Sequence, residues 1–383
     1  FHGPWYGFSY VETARMHADE SHAGQHYALW LEERGLKNWK EYFQPWPPDP
    51  NRRRDALYFL REQRHWNLPQ ELHHTRWVAE RTVAAMERSA ASGRPFCLWS
   101  SFFDPHPPYI VSEPWASMYR PEDMQPGRLV PGELDRMPPH FRKTQEAKPD
   151  FSAYREPGGN ALHGCHSHLY PDEELRKDMA VYYGMISFID QQLGAILDAL
   201  ERLGQAQNTL VVFTTDHGHF MGQHGLIAKG PFHYEDMIRV PMLVRCPGTV
   251  PAGKVSRSLQ SLVDYPQTLL RAAGLEAPGW MQGVDQWDVW CGRRQAARDH
   301  VLVENRHNPT RMHLRTYVDE RYKLTVYRGE SFGELFDLES DPGETRNLWD
   351  EPSHAALKAS LFEKFLQAEL QREPLLMPRV AGA

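Results

Sequence analysis

The sequence predicts an α/β fold with a mostly parallel sheet flanked by helices, and three observations predict it. Two apolar runs, 95–103 (Pro-Phe-Cys-Leu-Trp-Ser-Ser-Phe-Phe) and 209–215 (Thr-Leu-Val-Val-Phe-Thr-Thr), are rich in aromatic or β-branched residues and too short for helices, as buried strands are. Between them Leu175, Met179, Tyr182, Ile186, Ile189, Leu193, Ile196, Leu200 and Leu203 recur at three- and four-residue spacing, with Gly204 placed to stop a long helix. Both apolar runs end in polar clusters, Asp104-Pro105-His106-Pro107-Pro108 and Asp216-His217-Gly218. In α/β sheets, ligands bind just beyond the carboxyl ends of the strands.

The remaining elements follow in order. Residues 1–75 are aromatic, His-rich and broken by prolines, with little periodicity; 75–91 reads as a helix; 112–170 reads as loop. A further strand is expected at 240–245 and a helix at 263–273. From about residue 295 the texture changes to short strands at 300–304, 314–318, 322–327 and 334–338, followed by a helix over 353–371. This predicts a catalytic domain over 1–294 and a small C-terminal α+β subdomain with an antiparallel sheet over 295–383.

Composition narrows the function. The 383 residues carry a formal charge of −7 with no basic block, which argues against a nucleic-acid partner. No apolar run approaches the ~20 residues of a membrane span, and the opening Phe1-His2-Gly3 has no signal-peptide pattern. The compartment is left open. Cys97, Cys165, Cys246 and Cys291 form no C-x-x-C pair, and Cys97 and Cys246 read as buried thiols within apolar runs. The aromatic residues read first as core packing and second as the lining of a sugar or aryl site.

The chemistry concentrates after residue 213. Asp216 and His217, side by side beyond a strand, offer a carboxylate and an imidazole to one ion, which suits calcium, magnesium, manganese or zinc. Lys229, thirteen residues on, supplies a cation fit to neutralise an anionic oxygen. His224 and His219 read as structural or supporting residues at least as readily as direct contacts. Glu304, Arg306, His307, Arg311, His313 and Arg315 form a polar run that reads equally as a substrate-binding rim or a solvated strand face. His163, His166 and His168 have a metal-like composition but no acidic or cysteine partner, and read as loop.

The stretch 209–248 resembles the sulfatase branch of the alkaline phosphatase superfamily: an Asp-His-Gly turn, Gly222-Gln223-His224-Gly225, Lys229-Gly230 and a strand closing near Pro247-Gly248 occur in that order. Phe103-Asp104-Pro105-His106-Pro107-Pro108, the helix containing Tyr183-Gly184-Met185, Leu262-Val263-Asp264-Tyr265, and Glu334-Leu335-Phe336-Asp337 extend the likeness over roughly residues 1–352. The resemblance implies an alkaline phosphatase-like fold, Asp216 and His217 as metal ligands with calcium as the ion, and Lys229 and His106 as the catalytic contacts. It places His307, Arg311 and His313 over the pocket as substrate-binding residues, and implies a sulfated carbohydrate or aryl sulfate as the substrate. For His106 the other reading is a turn histidine between prolines.

The family's early Asp-Asp pair and its Cys-x-Pro/Ala-x-Arg motif, whose cysteine becomes formylglycine, are not found; no cysteine here has Arg four residues later. The expectation is therefore a sulfatase whose nucleophile-bearing N-terminal portion lies outside these residues, with little turnover by this chain alone and exposed sheet edges. A supplying segment or a homo-oligomer is the partner this implies. The rival expectations are a phosphonate monoester or phosphodiester hydrolase of the same superfamily, and a non-catalytic, anion-binding truncated paralogue.

Overall fold

The computed structural model describes residues 7–14, 25–43, 64–147, 149–154, 171–306 and 312–372. The helices used below are α1 His26–Glu33, α2 His74–Ser92, α3 Pro139–Lys143, α4 Asp172–Arg202, α5 Glu235–Ile238, α6 Tyr265–Ala272, α7 Trp287–Trp290 and α8 Ala355–Gln371. The strands are β1 Val211–Thr214, β2 Phe220–Met221, β3 Ile227–Ala228, β4 Met242–Arg245, β5 His300–Arg306, β6 His313–Asp319, β7 Tyr322–Tyr327 and β8 Gly333–Asp337.

These residues group into two compact units, 1–126 with 171–206, and 127–170 with 207–383. In the first, the long helix α4 forms where its periodicity predicts, packs against α2, and is followed by Gly204 in the left-handed conformation (φ 68°). Gly184 is required there: a Cβ on it would lie 2.0 Å from the Trp115 carbonyl oxygen. Trp115 then stacks on Phe188 at 5.0 Å between ring centroids. A second core gathers Tyr27, Trp30, Leu31, Trp39, Trp66 and Trp77. These aromatic residues are thus spent on packing, each such burial contributing roughly 1.5–3 kcal/mol. Helix α1 was not foreseen, although Tyr27, Trp30 and Leu31 stand at the three- and four-residue spacing of a buried helical face.

In the second unit, β5 to β8 form a four-stranded antiparallel sheet in sequence order, as predicted, with Thr316 opposite Thr325. Helix α8 covers it through Leu361, Phe365 and Ala368 against Tyr317, Leu324 and Leu335.

Three expectations are corrected. Residues 95–103 form no strand, and Trp99 is 81% exposed and Cys97 is exposed as well. Among the described residues no partner strand runs along this segment, and without ladder bonds an apolar sequence cannot be a strand. The run 209–215 yields only β1, half-buried, and its partner β4 exposes Leu243 at 69%. Lastly, the α/β class holds, but every ladder among the described residues is antiparallel, the one parallel pairing being an isolated bridge between His65 and Val111. Parallel sheets need both faces covered and several neighbours, and β1 has one.

Candidate active site

Strand β1 delivers the chain into a tight turn. Asp216 Oδ1 accepts hydrogen bonds from the backbone N–H of His217 (2.9 Å) and from Thr215 Oγ1 (3.2 Å), so this carboxylate is oriented although it is exposed. Gly218 N–H donates to the Met237 carbonyl at 2.7 Å and His219 N–H to the Asp236 carbonyl at 3.1 Å, which docks the turn on α5. The sequence requires glycine at 218: a Cβ would lie 1.8 Å from the Asp236 carbonyl oxygen.

His217 Nδ1 lies 2.7 Å from the Gly218 carbonyl oxygen, which accepts only if Nδ1 carries the hydrogen. Nε2 therefore presents its lone pair, which accepts from Lys229 Nζ at 3.3 Å, and stands 3.5 Å from Asp216 Oδ2. A carboxylate oxygen and an imidazole lone pair converge, as a ligand pair should, and the tautomer is fixed by the second ring nitrogen. Two donors make only part of any coordination set, since calcium takes about six to eight oxygens and zinc about four ligands. Asp216, His217 and Lys229 open together onto a wide cleft of ≈ 1960 Å³ within the same unit, lined further by His233, Tyr265 and Arg257.

The other predicted residues are placed as follows. His106 lies in the first unit, half-buried, its Nδ1 donating to the Pro107 carbonyl (2.7 Å) and its backbone N–H to that of Phe103 (3.1 Å). His313 opens β6 opposite Arg306 and is not part of the cleft lining. Burial, then the positive Arg315 and Arg306, lower its pKa. His307 and Arg311 lie outside the described residues, as do His163, His166 and His168. Of the polar run, Arg315 pairs with Glu369 (2.7 Å), and Arg372 pairs with Glu304 and with Glu369, so these side chains tie β5 and β6 to the chain's last helix.

The sulfatase family profile matches residues 36–275. This chain belongs to the sulfatase family. A second profile, that of the N-sulphoglucosamine sulphohydrolase C-terminal region, matches residues 222–371. The arylsulfatase of Clostridium perfringens is 30% identical over 74% of this sulfatase-family chain and 55% of its own length. The N-acetylglucosamine-6-O-sulfatase of Bacteroides thetaiotaomicron is 28% identical over 50% of this chain and 36% of its own length. The chain thus spans about half the length of the arylsulfatase it matches and about a third of the other enzyme. The phosphonate monoester hydrolase structure from Agrobacterium radiobacter superposes with a TM-score of 0.72 at 24% identity, covering 97% of this chain and 73% of that one. That likeness establishes the alkaline phosphatase-like fold.

Two charge clusters whose partners sequence reasoning missed pair with α5, the helix on which the turn docks. His224, buried and itself in a left-handed conformation (φ 56°), lies between Glu133 (3.4 Å) and Asp236 (3.6 Å) and stacks on Tyr234 at 3.5 Å. Behind it, Lys323, 1% exposed, pairs with Glu235 (3.1 Å) and with the equally buried Glu344, whose Oε2 accepts the Glu235 amide hydrogen (2.6 Å). Only the Gly222-x-His224-Gly225 spacing hinted at the first, and nothing local hints at the second, whose members are far apart in the chain.

Burial alone would lower the His224 pKa, but Asp236 and Glu133 together raise it to about 9. A raised histidine adds stability that is complete below its unfolded pKa of about 6.5 and lost as pH rises through about 9. The stability difference between wild type and His224→Gln is therefore expected to shrink by on the order of 2 kcal/mol from neutral pH to above pH ~9. Urea denaturation at a series of pH values measures it; a difference constant with pH would refute the charged bridge.

Proposed function

We propose that this protein acts in hydrolysis of sulfate esters, with a sulfated carbohydrate as the substrate class. The observation that carries this reading is the convergence of Asp216, His217 Nε2 and Lys229 on one cleft in a sulfatase-family chain. Members of this family generally use a divalent metal. Asp216 and His217 would hold it, completed by further ligands, and calcium is the ion proposed. Bound there, it would polarise a sulfuryl oxygen and strengthen the field on the reacting group.

The chain's own residues have distinct tasks. Asp216 and His217 orient the anion-binding corner, and the Gly218 carbonyl holds the His217 tautomer. Lys229 neutralises a sulfate oxygen. His106 is proposed as the group that gives a proton to the leaving oxygen, because charge develops there as the S–O bond breaks. His307, Arg311 and His313 are proposed as contacts to the remainder of the substrate. The nucleophile is none of the four cysteines, for the motif reason given above. A formylglycine supplied by another segment is the companion proposal. The glycan preference draws on the relatives named for glucosamine sulfates and on the cationic residues lining the cleft.

In the intact protein, Asp216→Ala and Lys229→Ala are each expected to reduce kcat/KM for a nitrophenyl sulfate by roughly 10²–10³-fold. A parallel assay with a phosphonate monoester tests the rival favoured by the fold of the Agrobacterium radiobacter enzyme. A phosphonate preference of about a thousandfold, some 4 kcal/mol in transition-state binding, would replace the sulfatase reading.

A further inference from the structure

Within the first unit, three ligand-type side chains meet in the core, none of them among the residues assigned above, although Asp104 is two residues from His106. His73 is fully buried, and His74 and Asp104 are each more than nine-tenths buried. One donor atom from each lies within 4.8 Å of the others, the one such group among the described residues. His74 Nε2 stands 3.6 Å from Asp104 Oδ1, and His73 Nδ1 stands 3.9 Å from Asp104 Oδ2. The rings of Trp66, Phe103, Phe188 and Tyr27 close around the two imidazoles.

This cluster is under-satisfied for its depth. Asp104 Oδ2 takes the Thr75 hydroxyl at 2.6 Å, and His73 Nδ1 takes the Thr75 amide hydrogen at 3.2 Å. His73 Nε2 has no partner, and the His74–Asp104 approach is too long for a hydrogen bond. A carboxylate buried this deeply beside two imidazoles needs a positive charge or a proton of its own.

We propose that His73, His74 and Asp104 form a buried binding site for a zinc-class transition-metal ion. Two imidazoles and one carboxylate suit zinc or cobalt rather than calcium, which prefers an all-oxygen set. An ion with bonds of about 2.0–2.2 Å spaces tetrahedral donors roughly 3.3–3.6 Å apart, so the donors, now 3.6 and 3.9 Å from Asp104 and all within 4.8 Å of one another, would draw together on it. His73 trades its long bond from the Thr75 amide for the ion. The site ties the start of α2 to the 104–108 loop that carries His106, and it is independent of the function assigned to Asp216 and His217.

The test strips the protein with chelator and titrates it with Co2+ in an Asp216→Ala/His217→Ala background, which removes the other ligand pair. About one equivalent should bind, with the visible absorption of four-coordinate Co2+ and displacement by Zn2+. Asp104→Asn and His74→Ala should each weaken binding roughly tenfold or more. If His74→Ala does not fold, the near-isosteric Asp104→Asn and X-ray absorption fine structure of the loaded background, which counts imidazole ligands, decide the matter. No stoichiometric binding in the background, coordination without two imidazoles, or unchanged affinity in Asp104→Asn would overturn the site and leave a proton on Asp104 as the neutralising charge.

Discussion

Replacing Lys323 with Met is expected to destabilise the protein by about 3–5 kcal/mol at neutral pH, among the largest single-residue effects in the second unit. The reason is burial without compensation. Lys323 and Glu344 are each about 1% exposed, and Lys323 also faces Glu235 and the buried Glu334. Methionine fits the space of the lysine stem but leaves Glu344 charged in the core. Burial already raises the Glu344 pKa against the lowering effect of Lys323, and burial pushes Glu334 up to about 7.

The sign of the accompanying pH dependence follows. A carboxyl group whose folded pKa is raised holds more protons when folded, so its penalty is absent below the unfolded pKa, grows as pH rises toward the folded value and is full above it. Lys323→Met should therefore recover part of its loss as pH falls from about 7 toward the unfolded carboxyl pKa. Adding Glu344→Gln should restore most of it at neutral pH, by removing the stranded charge. Denaturant unfolding of the four-member cycle provides the measurement. A single mutant within about 1 kcal/mol of wild type would show that solvent reaches the pair.

Gly218→Ala is expected to abolish most activity while leaving the sheet β5–β8 intact. The new Cβ would sit 1.8 Å from the Asp236 carbonyl oxygen and 3.0 Å from Met237 Cα, so turn and α5 must separate. Both bonds that dock the turn, at 2.7 and 3.1 Å, are then lost, and Asp216 and His217 move with it. A displacement near 1 Å at reacting groups costs about a hundredfold in rate, and kcat/KM should fall at least that far. The metal concentration giving half-maximal activity should rise in parallel. Activity and metal dependence within about twofold of wild type would mean that the docking on α5 does not position Asp216 and His217.

The sequence made the local features legible. Helix α4 followed from its apolar stripe, the antiparallel sheet from short alternating segments, and the Asp216–His217 turn from its place after a β-branched run. What it misjudged depends on neighbours. The 95–103 run has the composition of a buried strand, yet Trp99 lies in solvent because strand formation is a property of a pair. Helix α1 was hidden by prolines and histidines around it, although its own spacing was adequate.

The same division runs through the site. By itself the sequence determined the carboxylate and imidazole side by side at 216 and 217, the glycine at 218, the cation at 229 and the lack of Arg four residues after any of the four cysteines, because each is a matter of residue identity and short spacing. Tertiary structure alone decided which charges lie buried together: Lys323 with Glu235 and Glu344, His224 with Glu133 and Asp236, His74 with Asp104. These partners are separated by 12 to 91 residues, and no periodicity links them. Coulombic and desolvation energies depend on distance in space and on burial, neither of which is encoded at any one position along the chain.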